Sequence, residues 1–96
     1  MAEVMVNDKR VVLKDALRGR DGWRVVELFQ EAQARAELRE TYEANRELVS
    51  LVVESWEFDG DPADPASYDA MDTFREFQPL NRMVAEHVMN MLPSKN

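Results

Sequence analysis

Residues 45–65, "NRELVSLVVESWEFDGDPADP", hold the main change of character in this chain. Up to Trp56 the stretch reads as helix. Val49, Val52 and Trp56 extend a stripe that starts at Leu38 and Tyr42 and passes Asn45, with the three-and-four spacing that puts side chains on one helical face. From Asp59 the pattern stops. Gly60 suits the C-terminal end of a helix, and Pro62 and Pro65 cannot continue one. Neither glycine nor proline occurs between Trp23 and Asp59. The expectation is a long helical region over 21–57, then an acidic, proline-rich loop over 58–77 with a short helical turn capped by Ser67.

Upstream, Val25, Phe29, Ala32 and Ala36 form a second stripe, out of register with the first. One straight helix would swing its apolar face there, so the region bends or breaks between Gln33 and Asn45. Asp21 and Asn45 are the candidate N-caps of the two pieces. Before them, "EVMV" (3–6) and "RVVLK" (10–14) flank "NDKR" and read as a β-hairpin within 1–15. Two strands alone are marginal in water. The hairpin must therefore pack on helix or borrow a third strand from another chain. Downstream, a last helix is expected over 78–92, with Pro79 in its first turn, Pro93 ending it and "SKN" as a frayed tail. Its apolar face carries Leu80, Met83, Val84, His87, Val88 and Met91. The fold class is mainly α (α+β): an N-terminal hairpin, three or four helices, and the acidic loop before the last one.

Ninety-six residues suit one domain. A chain of this size buries roughly 60–65% of its unfolded surface, so the core is small. There is no cysteine, hence no disulfide, thiolate zinc site or cysteine nucleophile. No basic-then-apolar leader opens the sequence and no apolar run is long enough to span a membrane. A cytoplasmic protein is expected. The net charge of -7 is local. Glu54 to Glu76 contains eight acids against one base, Arg75, and the remainder sums to zero. Phosphates would be repelled there, which argues against nucleic acid. A smaller basic cluster, Lys14, Arg18, Arg20 and Arg24, reads as a solvated turn region.

The chemical readings fail one by one. A calcium loop starting at Glu57 puts Pro62 at the sixth position and Tyr68 at the twelfth, where glycine and a carboxylate are required. Acids among surface prolines lack the environment that separates the pKa values of a catalytic pair. The lone histidine, His87, lies on an apolar helical face, and none of the three serines sits in a nucleophile elbow. Three glycines, Gly19, Gly22 and Gly60, make no phosphate loop. No catalytic residue, cofactor or metal site is expected.

What remains is surface. Trp23 and Trp56 bracket the helical region and read first as core, and His87 as a satisfied core or interface residue. Tryptophan is also prominent in interface hot spots, and methionine adapts to irregular partners. Several apolar faces compete for one small core, which favours an oligomer or a bound partner. The candidate partner-binding residues are Trp23, Trp56, Phe58, Leu80, Val84, His87 and Met91.

The stretches "LRGRDGWRVVELFQ", "NRELVSLVVESWEF", "DGDPADPASYDAMD" and "FQPLNRMVAEHVMNML" together resemble the small tail assembly chaperones of long-tailed, siphovirus-like bacteriophages. "VVESWEFDGDP" is the most specific piece, and the resemblance spans most of the chain as a pattern, without a catalytic signature. It implies a non-enzymatic role in the host bacterial cytoplasm. The chain would keep a long helical tape measure protein dispersed while tail tube subunits polymerise around it. The competing expectation is a small acidic adaptor or inhibitor whose 54–76 segment occupies a basic surface of a host protein.

Overall fold

A computed structural model describes residues 2–34 and 38–92. The order of elements is β1 (Ala2–Val6), β2 (Lys9–Leu13), α1 (Gly19–Ala34), α2 (Leu38–Val52), β3 (Val53–Trp56), a 3-10 helix (Pro65–Ala70), a π-type turn (Thr73–Phe77) and α3 (Gln78–Met91). The chain is mainly helical with an N-terminal antiparallel hairpin, as expected. Ala36, Pro93 and the "SKN" tail lie outside the described residues.

The hairpin closes through Asn7 and Asp8, both with positive φ (49° and 66°), the conformation whose twist matches that of the flanking strands. Val4 pairs with Val11 and Val6 with Lys9. Ala2, Val4, Val6, Val11 and Leu13 turn toward the core, while Glu3, Met5 and Arg10 are exposed. This alternation marks a sheet with one wet face.

The third strand comes from the chain itself and corrects the helical reading of 21–57. Helix α2 ends at Val52 and β3 begins at the next residue, pairing Leu13 with Val53, Val12 with Ser55 and Val11 with Trp56. Glu54 is the extra residue of a β-bulge between the first two pairs. The bulge puts Val53 and Trp56 opposite the two inward residues of β2. Their spacing of three is also a helical spacing, so apolar periodicity could not separate strand from helix here. The unpaired edge of β2 decides it, because the β-branched pair Val52-Val53 hands the backbone over to a waiting row of donors and acceptors.

Helices α1 and α2 form an antiparallel pair. The guanidinium of Arg24 binds Glu47 with two bonds (Nε to Oε2 2.8 Å, Nη2 to Oε1 2.9 Å) and also meets Glu27 and Glu31. Val25 and Leu28 from α1, Leu48, Val49 and Val52 from α2, and Leu80, Val84 and Val88 from α3 join the inward strand residues in one core. Asn45 lies inside α2 and Asp21 inside the first turn of α1, so neither is a cap. α3 starts at Gln78 with Pro79 in its first turn, as expected.

The 58–77 segment is more ordered than a solvated loop. Tyr68 is 1% exposed and Phe77 5%. Trp56, Tyr68, Phe77 and Tyr42 stack in sequence with ring centroids 4.8, 6.3 and 5.2 Å apart. Phe58 joins on the other side of Trp56 at 5.4 Å. The polar tips are satisfied: Tyr68 donates to the Pro62 carbonyl (2.7 Å) and Trp56 Nε1 to the Gly60 carbonyl (3.0 Å). Gly60 has φ +90°, and a Cβ there would sit 2.9 Å from Ser67 Oγ. It serves a bend after β3 and not a helix end. Asp64, rather than Ser67, caps the 3-10 helix by accepting from the Ala66 amide.

The acids of this segment hold it in shape. Glu57 accepts from the Arg10 amide, Asp61 from Ala63, Asp64 from Ala66, Asp72 from Phe74 and Arg75, and Glu76 from Asn7 and the Asp72 amide. Asp69 accepts from Tyr42 and Arg46, tying the 3-10 helix to α2. Six of the eight acids between Glu54 and Glu76 thus act inside the fold.

Three carboxyls lie below their ordinary pKa: Asp69 through the Tyr42 hydroxyl and then Arg46, Glu47 through Arg24, and Glu76 through Asn7 and the Asp72 amide. A carboxyl depressed in the folded state stabilises above its unfolded pKa, and that contribution fades as pH falls through the folded value. The melting temperature is expected to be flat down to about pH 5 and to fall below about pH 4, the ordinary carboxylate range. Asp69→Asn should melt lower at neutral pH and lose part of the acid slope. A variant retaining the whole slope would remove Asp69 from this account.

Candidate functional site

Most large apolar residues among the described ones are inside, with a few exceptions. Trp23 is 78% exposed and Phe74 76%, followed by Met89 at 60%, Met5 at 58% and Leu92 at 37%. An exposed tryptophan is the least expected of these in a small domain, because its large ring is the residue a small core most needs.

Trp23 stands on the outer face of α1, one turn before Val26. Val26 belongs to two adjoining depressions. One is a shelf of about 490 Å³ bordered by Trp23, Arg20 and Gln30. The other is a groove of about 530 Å³ between α1, the C-terminal end of α3 and the segment that joins β2 to α1. Leu17, Val25, Val88, Met91 and Leu92 give it apolar walls. Its floor depends on Gly22, where a Cβ would come 3.2 Å from the Leu17 carbonyl oxygen, so the joining segment can lie close against α1. The third wall is fixed by His87, whose Nε2 lies 2.6 Å from the Lys14 carbonyl oxygen. A carbonyl only accepts, so the ring donates.

The rim is basic. The side chains of Arg18 and Arg20 are exposed and pair with no group among the described residues. Arg24, grouped with them in the sequence, is held by Glu47 of α2 and meets Glu31 of its own helix instead. These carboxylates and Arg24 line a shallow cleft with Leu28 and Ala44. Arg24 and Glu47 are more than a third exposed there, and the contacts join α1 to α2. Among the described residues, no three Asp, Glu or His side chains gather as metal ligands. No described helix is long and apolar enough to cross a membrane.

The seven candidate partner residues therefore divide. Met91 lines the groove and Trp23 the adjoining shelf. His87 shapes the groove from behind. Trp56 and Phe58 are half-buried in the aromatic stack, with Lys9 Nζ 4.8 Å from the Phe58 ring centre. Leu80 and Val84 are both 0% exposed and cannot meet a partner in this fold. They occupy the centre of the α3 stripe, which the sheet and α2 cover. Leu17, Val26, Phe74 and Leu92 were missed in the sequence. Leu17 and Leu92 lie outside the periodic stripes, and Phe74 is hidden in the acidic run. Val26 carries a signal in hindsight, three residues after Trp23 and off the Val25–Phe29 stripe.

Comparison with protein-family models, with curated proteins and with solved structures gives no match for this chain.

Proposed function

We propose that the protein is a non-enzymatic tail assembly chaperone of a long-tailed bacteriophage, acting in the host cytoplasm. Its groove would shield an apolar helical segment of the tape measure protein until tube subunits displace it. The observation behind this reading is Trp23, an exposed tryptophan beside an open apolar groove. An amphipathic client helix would lay its apolar stripe along α1 and the end of α3, with Trp23 as anchor. Such a contact is shallow and reversible, as a chaperone requires. The sequence pattern that resembles the tail chaperones points the same way.

The acidic adaptor reading rests on the 54–76 charge. Most of those acids already serve as acceptors within the fold, leaving Glu54 and Asp59 as the acids of that segment with no partner among the described residues. Co-expression of the chain with tape measure segments, followed by size-exclusion chromatography, tests both readings. The wild type is expected to keep the segment dispersed and to co-elute with it. Trp23→Ser should weaken the complex by about 2 kcal/mol or more, roughly thirty-fold, as for a hot-spot anchor. Asp59→Lys should leave it intact. Equal behaviour of wild type and Trp23→Ser would defeat the chaperone reading at this groove, and selective loss with Asp59→Lys would favour the adaptor.

A further inference from the structure

The dipeptide Asp-Gly occurs twice in this chain, at Asp21-Gly22 and at Asp59-Gly60. An aspartate followed by glycine can close on its own backbone. The amide nitrogen of the next residue attacks the side-chain carboxyl carbon, and glycine, which has no Cβ, leaves that nitrogen open to the approach. The fold puts the two copies in opposite settings.

Asp21 and Gly22 both lie within the first turn of α1. The helical ψ of about −42° does not bring the following nitrogen in front of the side-chain carboxyl. The Asp21 amide is bonded to the Arg18 carbonyl at 3.2 Å, and Gly22 packs against Leu17. This pair reacts only when the start of α1 opens.

Asp59 and Gly60 lie in the bend after β3, and both are exposed. The Asp59 carboxylate has no partner among the described residues, and the Gly60 amide donates to no described acceptor. The neighbouring aspartates differ. Asp61 and Asp64 precede prolines, whose nitrogen carries no hydrogen to give up. Their carboxylates also accept from the Ala63 and Ala66 amides. Asp69 is held by Tyr42 and Arg46, and Asp72 by the Phe74 and Arg75 amides. Asp59 combines a free carboxylate with a following glycine outside regular structure.

We infer that Asp59-Gly60 is a site of spontaneous isoaspartate formation in the folded protein. The Gly60 nitrogen bonds to Asp59 Cγ and closes a five-membered succinimide. One water leaves, made from a carboxyl oxygen, its proton and the amide proton. Water then adds back. Attack at Cγ breaks the new bond and restores aspartate. Attack at the Asp59 backbone carbonyl breaks the original peptide bond instead, so the chain now runs through Cβ and Cγ. The net change is an isomerisation, with no oxidant, reductant or cofactor.

The product has one more methylene in the backbone between residues 59 and 60. Gly60 is not free to absorb it. Its carbonyl accepts from Trp56 Nε1 at 3.0 Å. Its α-carbon lies so close to Ser67 that a Cβ would sit 2.9 Å from the hydroxyl oxygen. Trp56 in turn stacks on Tyr68 at 4.8 Å. The added length shifts one end of the aromatic stack, so the site acts as a timer on the acidic segment. It does so whether or not the groove holds a client, and the inference does not rest on that reading.

The experiment ages the purified chain alone in neutral buffer at physiological temperature, with samples taken over weeks. Tryptic peptides carrying residues 21 and 59 are separated into aspartyl and isoaspartyl forms of equal mass, and a form lighter by one water marks the succinimide. Isoaspartate at 59 is expected to exceed that at 21 by about tenfold or more, because a helix must open locally before Asp21 can react. In concentrated urea the two sites should converge. Asp59→Glu keeps the charge but needs a larger ring, so it should abolish the product at 59 with unchanged circular dichroism. Asp59→Asn, which expels ammonia in place of water, should speed it. Aged wild type should melt below the fresh chain, and aged Asp59→Glu should not. Equal accumulation at both sites in the folded chain, or none at 59, would overturn the site. An isomerised fraction that melts like the fresh chain would overturn its coupling to the aromatic stack.

Discussion

Tyr68→Ala is expected to be the most damaging single change among the residues of the acidic segment. The side chain is 1% exposed and stands between Trp56 and Phe77, with ring centroids 4.8 and 6.3 Å away. Its hydroxyl also closes the segment on itself through the Pro62 carbonyl. Removing a buried aromatic ring costs about 3–5 kcal/mol, a large share of the roughly 5–15 kcal/mol that holds a domain of this size together. At about 4–8 °C per kcal/mol the melting temperature should fall by more than roughly 12 °C. Tyr68→Phe keeps the rings and loses one buried hydrogen bond, so it should cost about 1–3 kcal/mol, chiefly from the Pro62 carbonyl left without its donor. Denaturant unfolding of both variants checks the order. If Tyr68→Ala unfolded like the wild type, residues 58–77 would be a loose loop after all.

Leu80→Ala and Trp23→Ala form a second contrast. Leu80 is 0% exposed, in the middle of the α3 stripe. Its truncation leaves a cavity among the helices and the sheet and should cost about 2–5 kcal/mol. Trp23 is 78% exposed, so its loss should change stability by no more than about 0.5 kcal/mol. Thermal melts of the two variants, run alone, separate core from contact surface without any partner. A marked destabilisation by Trp23→Ala would show that the ring is covered in solution, and a neutral Leu80→Ala would put the α3 stripe at the surface.

Much of the architecture was legible in residue order. The Asn7-Asp8 turn, the start of α3 at Gln78, the separation of two helices within 21–57 and the inward face of α3 all follow from local chemistry: turn residues, proline placement and apolar spacing. The strand at Val53–Trp56 was not legible, because a bulge at Glu54 gave it the spacing of a helix. The acidic segment was misread for a different reason. Its charges read as solvation, but carboxylates two or three residues ahead of free amides are also caps, and only the path of the chain shows which amides are free.

The candidate surface was legible in part. Trp23 and Met91 were singled out, yet nothing in their spacing distinguishes them from Leu80 and Val84. Each lies on a helix with an apolar stripe, and a stripe declares only that one face is apolar.

Local sequence alone settled which segments turn, which coil and where the charge collects, since those depend on neighbours within a few residues. Which apolar residues remain outside was decided by tertiary structure. The sheet and α2 close the core over Leu80 and Val84, while Trp23 and Phe74 stay exposed. Burial depends on what the rest of the chain brings to a face, and that is a property of the assembled packing, absent from any single stretch.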